Sequence, residues 1–203
     1  MKNYKKIDDY WLNKDNIREF IPGKFIFKNH KVINKGFKEK NLLSLTLYGV
    51  LKKDSESGEG LRPESYESYQ IFEKDDLVFK LIDLENTQTS RVGWVNERGI
   101  MSSAYIRLSL IDSTNHNSKY YYYFYYNLYF KHIYNSIGTG VRSTMNSDDL
   151  LELLLPVATR KEQDRVVNYL DSMISKIDES ILLENKKISK MMSVKKAIIN
   201  EVF

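Results

Sequence analysis

The sequence predicts an α+β fold: a mixed α/β globular head over residues 1–158, followed by one long C-terminal α-helix over residues 159–203. Two observations carry the helix. Thr159 followed three residues later by Glu162 is a capping-box start, in which each side chain satisfies an exposed backbone donor of the first turn. About 40 residues then follow with neither Pro nor Gly, which at ~1.5 Å per residue form a rod about 60 Å long. The third observation carries the head. From Lys24 to about Arg107, short apolar runs with alternating character are separated by turn residues, the pattern of strands.

Taken in order, residues 1–23 form a polar lead-in with room for a short helix before Ile21-Pro22-Gly23. Strand signals follow at Lys24–Ile33, which alternates in part, and at Leu42–Val50 (LLSLTLYGV), which ends at Gly49. The acidic, Gly- and Ser-rich segment Asp54–Gly60 reads as an exposed loop. Tyr69–Leu84 and Arg91–Val95 are short apolar runs, and Ala104–Ile111 alternates well. Lys119–Tyr134 is rich in tyrosine. Its rings suit a partly buried helix whose hydroxyls reach water, although aromatic faces also stack on bases in single-stranded recognition. Ile137–Met145 is a Gly-rich loop carrying Arg142, and Ser147-Asp148-Asp149 caps a short helix through Leu154.

On the long helix, apolar residues recur at Leu170, Met173, Ile177, Ile181, Ile188, Met191, Ile198 and Val202. The spacing is mostly three-four, with one four-four step from Met173 through Ile177 to Ile181 that marks a stutter. A single helix of this length cannot bury the seam against itself, so it needs a partner helix.

Composition narrows the function classes. With 42% hydrophobic and 13% aromatic residues the chain can bury a real core, so disorder throughout is excluded. The absence of Cys rules out disulfides and thiolate metal sites and fits a reducing compartment. No run of about 18 apolar residues exists, and the N-terminus lacks the apolar block of a signal peptide, so the expectation is a soluble, cytoplasmic protein without a membrane partner. Between Lys24 and Lys53, eight lysines stand against Glu39 alone, a local charge of +7. Such a cluster attracts phosphate backbones, although lysines of an ordinary solvated surface give the same count.

No catalytic constellation is visible. The chain lacks a GxxxxGK[ST] loop and an HExxH pair, and His30, His116 and His132 are not spaced like a zinc site. Gly138 and Gly140 permit close approach of a backbone or phosphate, but without a third glycine they make no dinucleotide fingerprint. No cofactor, metal or catalytic residue is assigned.

Four segments, in order, resemble the specificity (S) subunits of type I restriction–modification systems. Leu42–Val50 is similar to the strand that opens the family's target recognition domain. Phe72–Phe79 resembles a strand entered through a Gly-Asp turn, with Asp75 where Gly is usual. Gly93–Leu108 is similar to a Gly-Ile-Val-Ser-Pro-Ala-Tyr stretch, with Ser103 where Pro is common. Gly138–Ile181 resembles the glycine–arginine loop, the lead into the helix (Pro156, Glu162 and Gln163) and the helix itself.

The resemblance implies a non-catalytic, DNA-reading module whose target recognition domain reads one half of a split site in double-stranded DNA. It also implies that the helices hold methyltransferase subunits, with restriction subunits as further partners. With one head and one helix the chain looks like a half-size S subunit, and two copies in a homodimer would rebuild the family's antiparallel helix pair. Candidate phosphate and base contacts are Lys24, Lys28, Lys31, Lys35, Lys52, Lys53, Arg91, Arg98 and Arg142, and the seam residues above are the candidate dimer contacts. Three alternatives stay open. One is a coiled-coil adaptor with no DNA-reading role, another a silent recombination cassette of an S subunit, and the last a free-standing nuclease or methyltransferase, disfavoured by the missing motifs.

Overall fold

The computed structural model describes residues 19–53, 66–82, 90–134 and 144–202. It is an α+β chain whose strands precede a long C-terminal helix, and it divides into two compact units, Met1–Gln163 and Asp164–Phe203.

Within the first unit, the ten strands among the described residues pair antiparallel. β1 (Glu19–Pro22) pairs with β10 (Leu154–Val157), and β3 (Leu43–Thr46) with β4 (Gly49–Lys52). β5 (Gln70–Phe72) pairs with β8 (Gly99–Met101). The remaining four form one sheet in the order β2 (Phe27–Asn29), β9 (Ile106–Leu110), β6 (Leu77–Phe79), β7 (Val92–Trp94).

Strand alternation sends β6 into two apolar layers. Leu77 and Phe79 point the same way, and the Phe79 ring meets Tyr125 edge-on at 4.9 Å. Tyr125 belongs to α1 (Ser118–Phe130), the tyrosine-rich helix; its neighbour Tyr121 meets Phe27 of β2 at 5.4 Å. The Trp94 indole donates to Ser118 Oγ at 3.1 Å. Most of the tyrosine run is therefore core, and burial pushes the Tyr120, Tyr121, Tyr125 and Tyr134 hydroxyls up. Val78, on the opposite side of β6, packs with Leu43, Leu45, Val50, Phe72, Val95 and Met101.

Two glycines make that second layer possible. A Cβ on Gly93 would lie 2.6 Å from Leu45 Cδ1 and 2.7 Å from Val50 Cγ2, so the β3–β4 hairpin sits directly on the β7 backbone. A Cβ on Gly99 would lie 2.6 Å from the Asn41 carbonyl oxygen. Asp75 explains its own departure from glycine differently: its φ of 70° lies in the left-handed region, which Asp adopts more readily than most residues.

Several sequence expectations change. Leu42–Val50 is a hairpin turning at Leu47-Tyr48, closed by Thr46 Oγ1 donating to the Gly49 carbonyl at 2.9 Å. Tyr69–Leu84 holds two strands, β5 and β6, separated by the Asp75 turn. The end of the lead-in, Glu19–Pro22, is β1, and the rest of the stretch before Ile21 in which a short helix is expected lies outside the described residues. The short helix α2 (Ser147–Glu152) is capped by Asn146, whose side chain accepts from the Asp148 and Asp149 amides. It stops before Leu154, because Pro156 has no amide proton and the chain is already extended at Leu153 (ψ 136°). The Asp54–Gly60 loop and the lead-in before Glu19 lie outside the described residues.

The long helix, α3 (Arg160–Val202), spans 43 residues. Thr159 Oγ1 accepts from the Glu162 amide at 3.3 Å, as a cap should. Gln163, fully buried, fixes the first turn: its Oε1 accepts from the Asn117 amide at 2.8 Å and its Nε2 donates to the Ala158 carbonyl at 2.9 Å. Arg160 donates to the Ser113 carbonyl at 2.6 Å. In the second unit the helix is amphipathic, and Met173, Ile177, Ile181, Ile188, Met191 and Ile198 are all exposed, while Leu170 is half-buried.

Candidate nucleic-acid interface

The basic residues expected to face DNA occupy different local settings. Lys28 projects from β2 on the side opposite the buried Phe27 and is exposed. Lys31 donates from Nζ to the Ser103 carbonyl at 2.6 Å, at a cleft of about 300 Å³ that Asn29, Gln70, Tyr105 and Asn146 also line. Lys35 is exposed in the turn after Ile33, a loop held by buried Asn34, whose side chain exchanges hydrogen bonds of 2.9 Å with the Glu39 backbone. Lys52 ends β4, opposite Leu43, and is exposed, as is Lys53, whose amide donates to the Leu42 carbonyl at 2.8 Å.

Three others are engaged by the fold. Lys24 pairs with Glu152 at 2.8 Å, an exposed contact joining the Gly23–Phe25 turn to α2. Arg98 pairs with Glu39 at 3.0 Å and with Glu73, bracing three loops of the head. The Asn41 amide, helped by the Lys40 amide and the Arg98 guanidinium, holds the Glu39 carboxyl below the usual range. Arg91 departs from the expectation of a DNA-facing side chain. It is only 2% exposed and donates to the Ile82 carbonyl at 3.4 Å, so its guanidinium belongs to the interior. Arg142, with Gly138 and Gly140, lies outside the described residues.

One exposed feature was not anticipated. Tyr48, at the tip of the β3–β4 hairpin, is 90% exposed, and its amide donates to Thr46 Oγ1 at 3.1 Å, which stiffens the turn. Leu47 beside it is also exposed. A continuous apolar run hides such a tip, and only the turn-prone Gly49 (φ 102°) hints at it.

The head also holds a buried ion pair. Arg107 Nε donates to Asp76 Oδ2 at 2.6 Å and Arg107 Nη1 to the Ile71 carbonyl at 2.9 Å. Ser109 Oγ and the Glu73 amide donate to the same carboxylate at 2.5 and 2.6 Å. Burial pushes the Asp76 carboxyl up, opposed by Ser109, Arg107 and the Glu73 amide. Enclosed in the fold, this pair braces the strands around the second apolar layer. Among the described residues, no group of His, Asp and Glu is gathered as a metal site, and no helix is long and apolar enough to cross a membrane.

A model of the family described as type I restriction modification DNA specificity domain matches residues 11–191. The crystal structure of the type I restriction–modification S subunit from M. genitalium is similar over 83% of this chain and 42% of that one, at 13% identity and a TM-score of 0.54. The HsdS subunit from Thermoanaerobacter tengcongensis is similar over 79% of this chain and 38% of that one, at 13% identity and a TM-score of 0.46. A chain solved in work on complex assembly and conformational transition of the type I R-M system matches 64% of this chain and 30% of its own length, at 15% identity and a TM-score of 0.49. No curated protein matches. The chain thus spans between 30 and 42% of the length of these solved chains. With a family match reaching from before β1 to well along α3, the chain belongs to the type I restriction modification DNA specificity domain family.

Proposed function

We propose that this chain is a cytoplasmic, half-size S subunit that gives a type I methyltransferase its DNA sequence specificity. Residues 1–158 act as the target recognition domain and read one half-site of double-stranded DNA. Residues 159–203 pair two copies and, with them, hold methyltransferase subunits; restriction subunits join the same assembly. The single observation that carries this reading is the family match over residues 11–191, which takes in both the head and most of α3. The exposure of the apolar seam of α3 supports the pairing.

Lys28, Lys31, Lys35, Lys52 and Lys53 are proposed to meet phosphates, which contribute most of the affinity. Lys24 and Arg98 would have to exchange a carboxylate for a phosphate, and Arg91 is not proposed as a contact. Arg142 is proposed to read a guanine edge, a contact worth ~1–3 kcal/mol of discrimination. Two identical heads would read a palindromic site around a nonspecific spacer. The test is to co-express the chain with its partner methyltransferase and map modified bases across a genome. The expected result is one split palindrome, abolished or relaxed by Arg142→Ala; no sequence preference would reject the proposal.

The coiled-coil adaptor reading stays in contention for one reason: the partnered states of Lys24 and Arg98 leave fewer cations offered to DNA. DNA retention that falls steeply with salt favours the specificity subunit, and none at low salt favours the adaptor.

A further inference from the structure

The tip of the β3–β4 hairpin is built to hold two large apolar side chains out in water. In the commonest two-residue turns one or both central residues take positive φ, which is why Asn and Gly dominate there. Here neither Leu47 nor Tyr48 takes positive φ, and Gly49 makes the left-handed step at 102°. The reversal falls on the glycine, so bulky residues fit the tip. Thr46 Oγ1 accepts from the Tyr48 amide at 3.1 Å and donates to the Gly49 carbonyl at 2.9 Å, which engages its hydroxyl and stiffens the turn. Below the turn, Leu45 and Val50 are anchored in the second apolar layer. Tyr48 is 90% exposed, and Leu47 and Leu51, the latter on the outward side of β4, are exposed too. Single exposed apolar residues are ordinary, but three on one stiff hairpin do nothing for the packing of the head itself.

Resting on the reading of the head as a DNA-specificity domain, we propose that this hairpin enters the major groove and that Leu47 and Tyr48 read the 5-methyl group of a thymine. Charge selects nucleic acid as the occupant. From Lys40 to Lys53 the charged side chains are Lys40, Lys52 and Lys53, all exposed, and the acids resume only at Asp54, beyond the foot of the hairpin.

Dimensions select the groove. Lys52 follows Tyr48 by four residues, about 14 Å along a strand at ~3.4 Å per residue. The major groove is about 12 Å wide and admits a two-stranded β-ribbon, whereas the minor groove, about 6 Å wide, is too narrow for two strands ~4.8 Å apart with their side chains. With the tip against the base edges, the Lys52 and Lys53 ammonium groups lie at the phosphates that bound the groove, where they position the hairpin without reading sequence. Chemistry selects the group that is read. With Thr46 engaged, the tip presents apolar surface and the Tyr48 hydroxyl, and the apolar group that a base pair offers in the major groove is the thymine methyl.

The test is a chemical cycle on the complex of the chain with its partner methyltransferase, using a duplex that carries the site defined by methylation mapping. Each thymine of the site is replaced in turn by deoxyuridine, which lacks only the 5-methyl group. One replacement should weaken binding roughly fourfold, the worth of one buried methyl group, and should have no effect in the double variant Leu47→Ala/Tyr48→Ala. Tyr48→Phe should keep the wild-type penalty. The slope of log affinity against log salt should be the same in the double variant as in the wild type, because the tip carries no charge. A wild-type complex indifferent to every deoxyuridine, or a penalty that survives in the double variant, overturns the inference and leaves the DNA-specificity reading intact. So does a double variant that keeps its affinity for the duplex but loses methyltransferase subunits, since the tip is then a protein contact. A complex that shows no sequence preference overturns both.

Discussion

The buried pair Arg107–Asp76 offers the sharpest test of how the head is held together. In Arg107→Met the side chain keeps its apolar length, but the Asp76 carboxylate loses its charge partner at 2.6 Å and the Ile71 carbonyl loses its donor. Both residues are buried, so water cannot replace the guanidinium. Breaking a buried pair from one side costs about 3–5 kcal/mol, a large share of the roughly 5–15 kcal/mol that holds a domain folded. At about 2–4 °C per kcal/mol for a chain of this size, the melting temperature should fall by about 6–20 °C. Urea melts followed by tryptophan fluorescence measure the loss. The double variant Asp76→Asn/Arg107→Met, which removes both charges while Ser109 Oγ and the Glu73 amide keep an acceptor, should recover about 1–3 kcal/mol. Acid gives a second reading of the single variant. Burial raises the Asp76 carboxyl, and Arg107 no longer opposes it, so the folded state binds a proton that the unfolded state releases. The deficit is therefore complete above the folded pKa and shrinks as pH falls through it. A loss below about 1 kcal/mol at pH 7, or an equal loss in the double variant, would refute this account of the pair.

Three further outcomes are expected. Lys52→Glu with Lys53→Glu should weaken DNA binding to all sequences and flatten the slope of log affinity against log salt by roughly one for each phosphate no longer neutralised, whereas an unchanged slope means these lysines face away from DNA. Ile177→Asp with Ile181→Asp should abolish self-association of the chain while far-UV dichroism still reports a folded head, and an unchanged mass in ultracentrifugation would remove α3 as the pairing element. At Asp75, whose φ is 70°, Gly should be at least as stable as Asp and Val less stable by about 1–2 kcal/mol, and thermal melts showing Val equal to Gly would mean the turn is not strained.

What the sequence determined was whatever depends on neighbours along the chain. α3 was legible because its cap at Thr159, its freedom from Gly and Pro and its apolar rhythm are all local. The tyrosine-rich helix was legible for the same reason, and the family was legible because its short motifs keep their order. Tertiary structure alone decided contacts between distant segments. Glu19–Pro22 becomes a strand because Leu154–Val157, more than 130 residues later, supplies its hydrogen-bond partners. Lys28 and Arg91 look equally basic in the sequence, yet one is exposed on β2 and the other is sealed in the interior. Nothing along the chain marks Gly93 and Gly99 as points of close approach, and only the fold presses the β3–β4 hairpin and the Asn41 backbone against them. Helix caps and periodicity act through bonds a few residues apart, whereas burial and close approach depend on which remote surfaces the chain folds together.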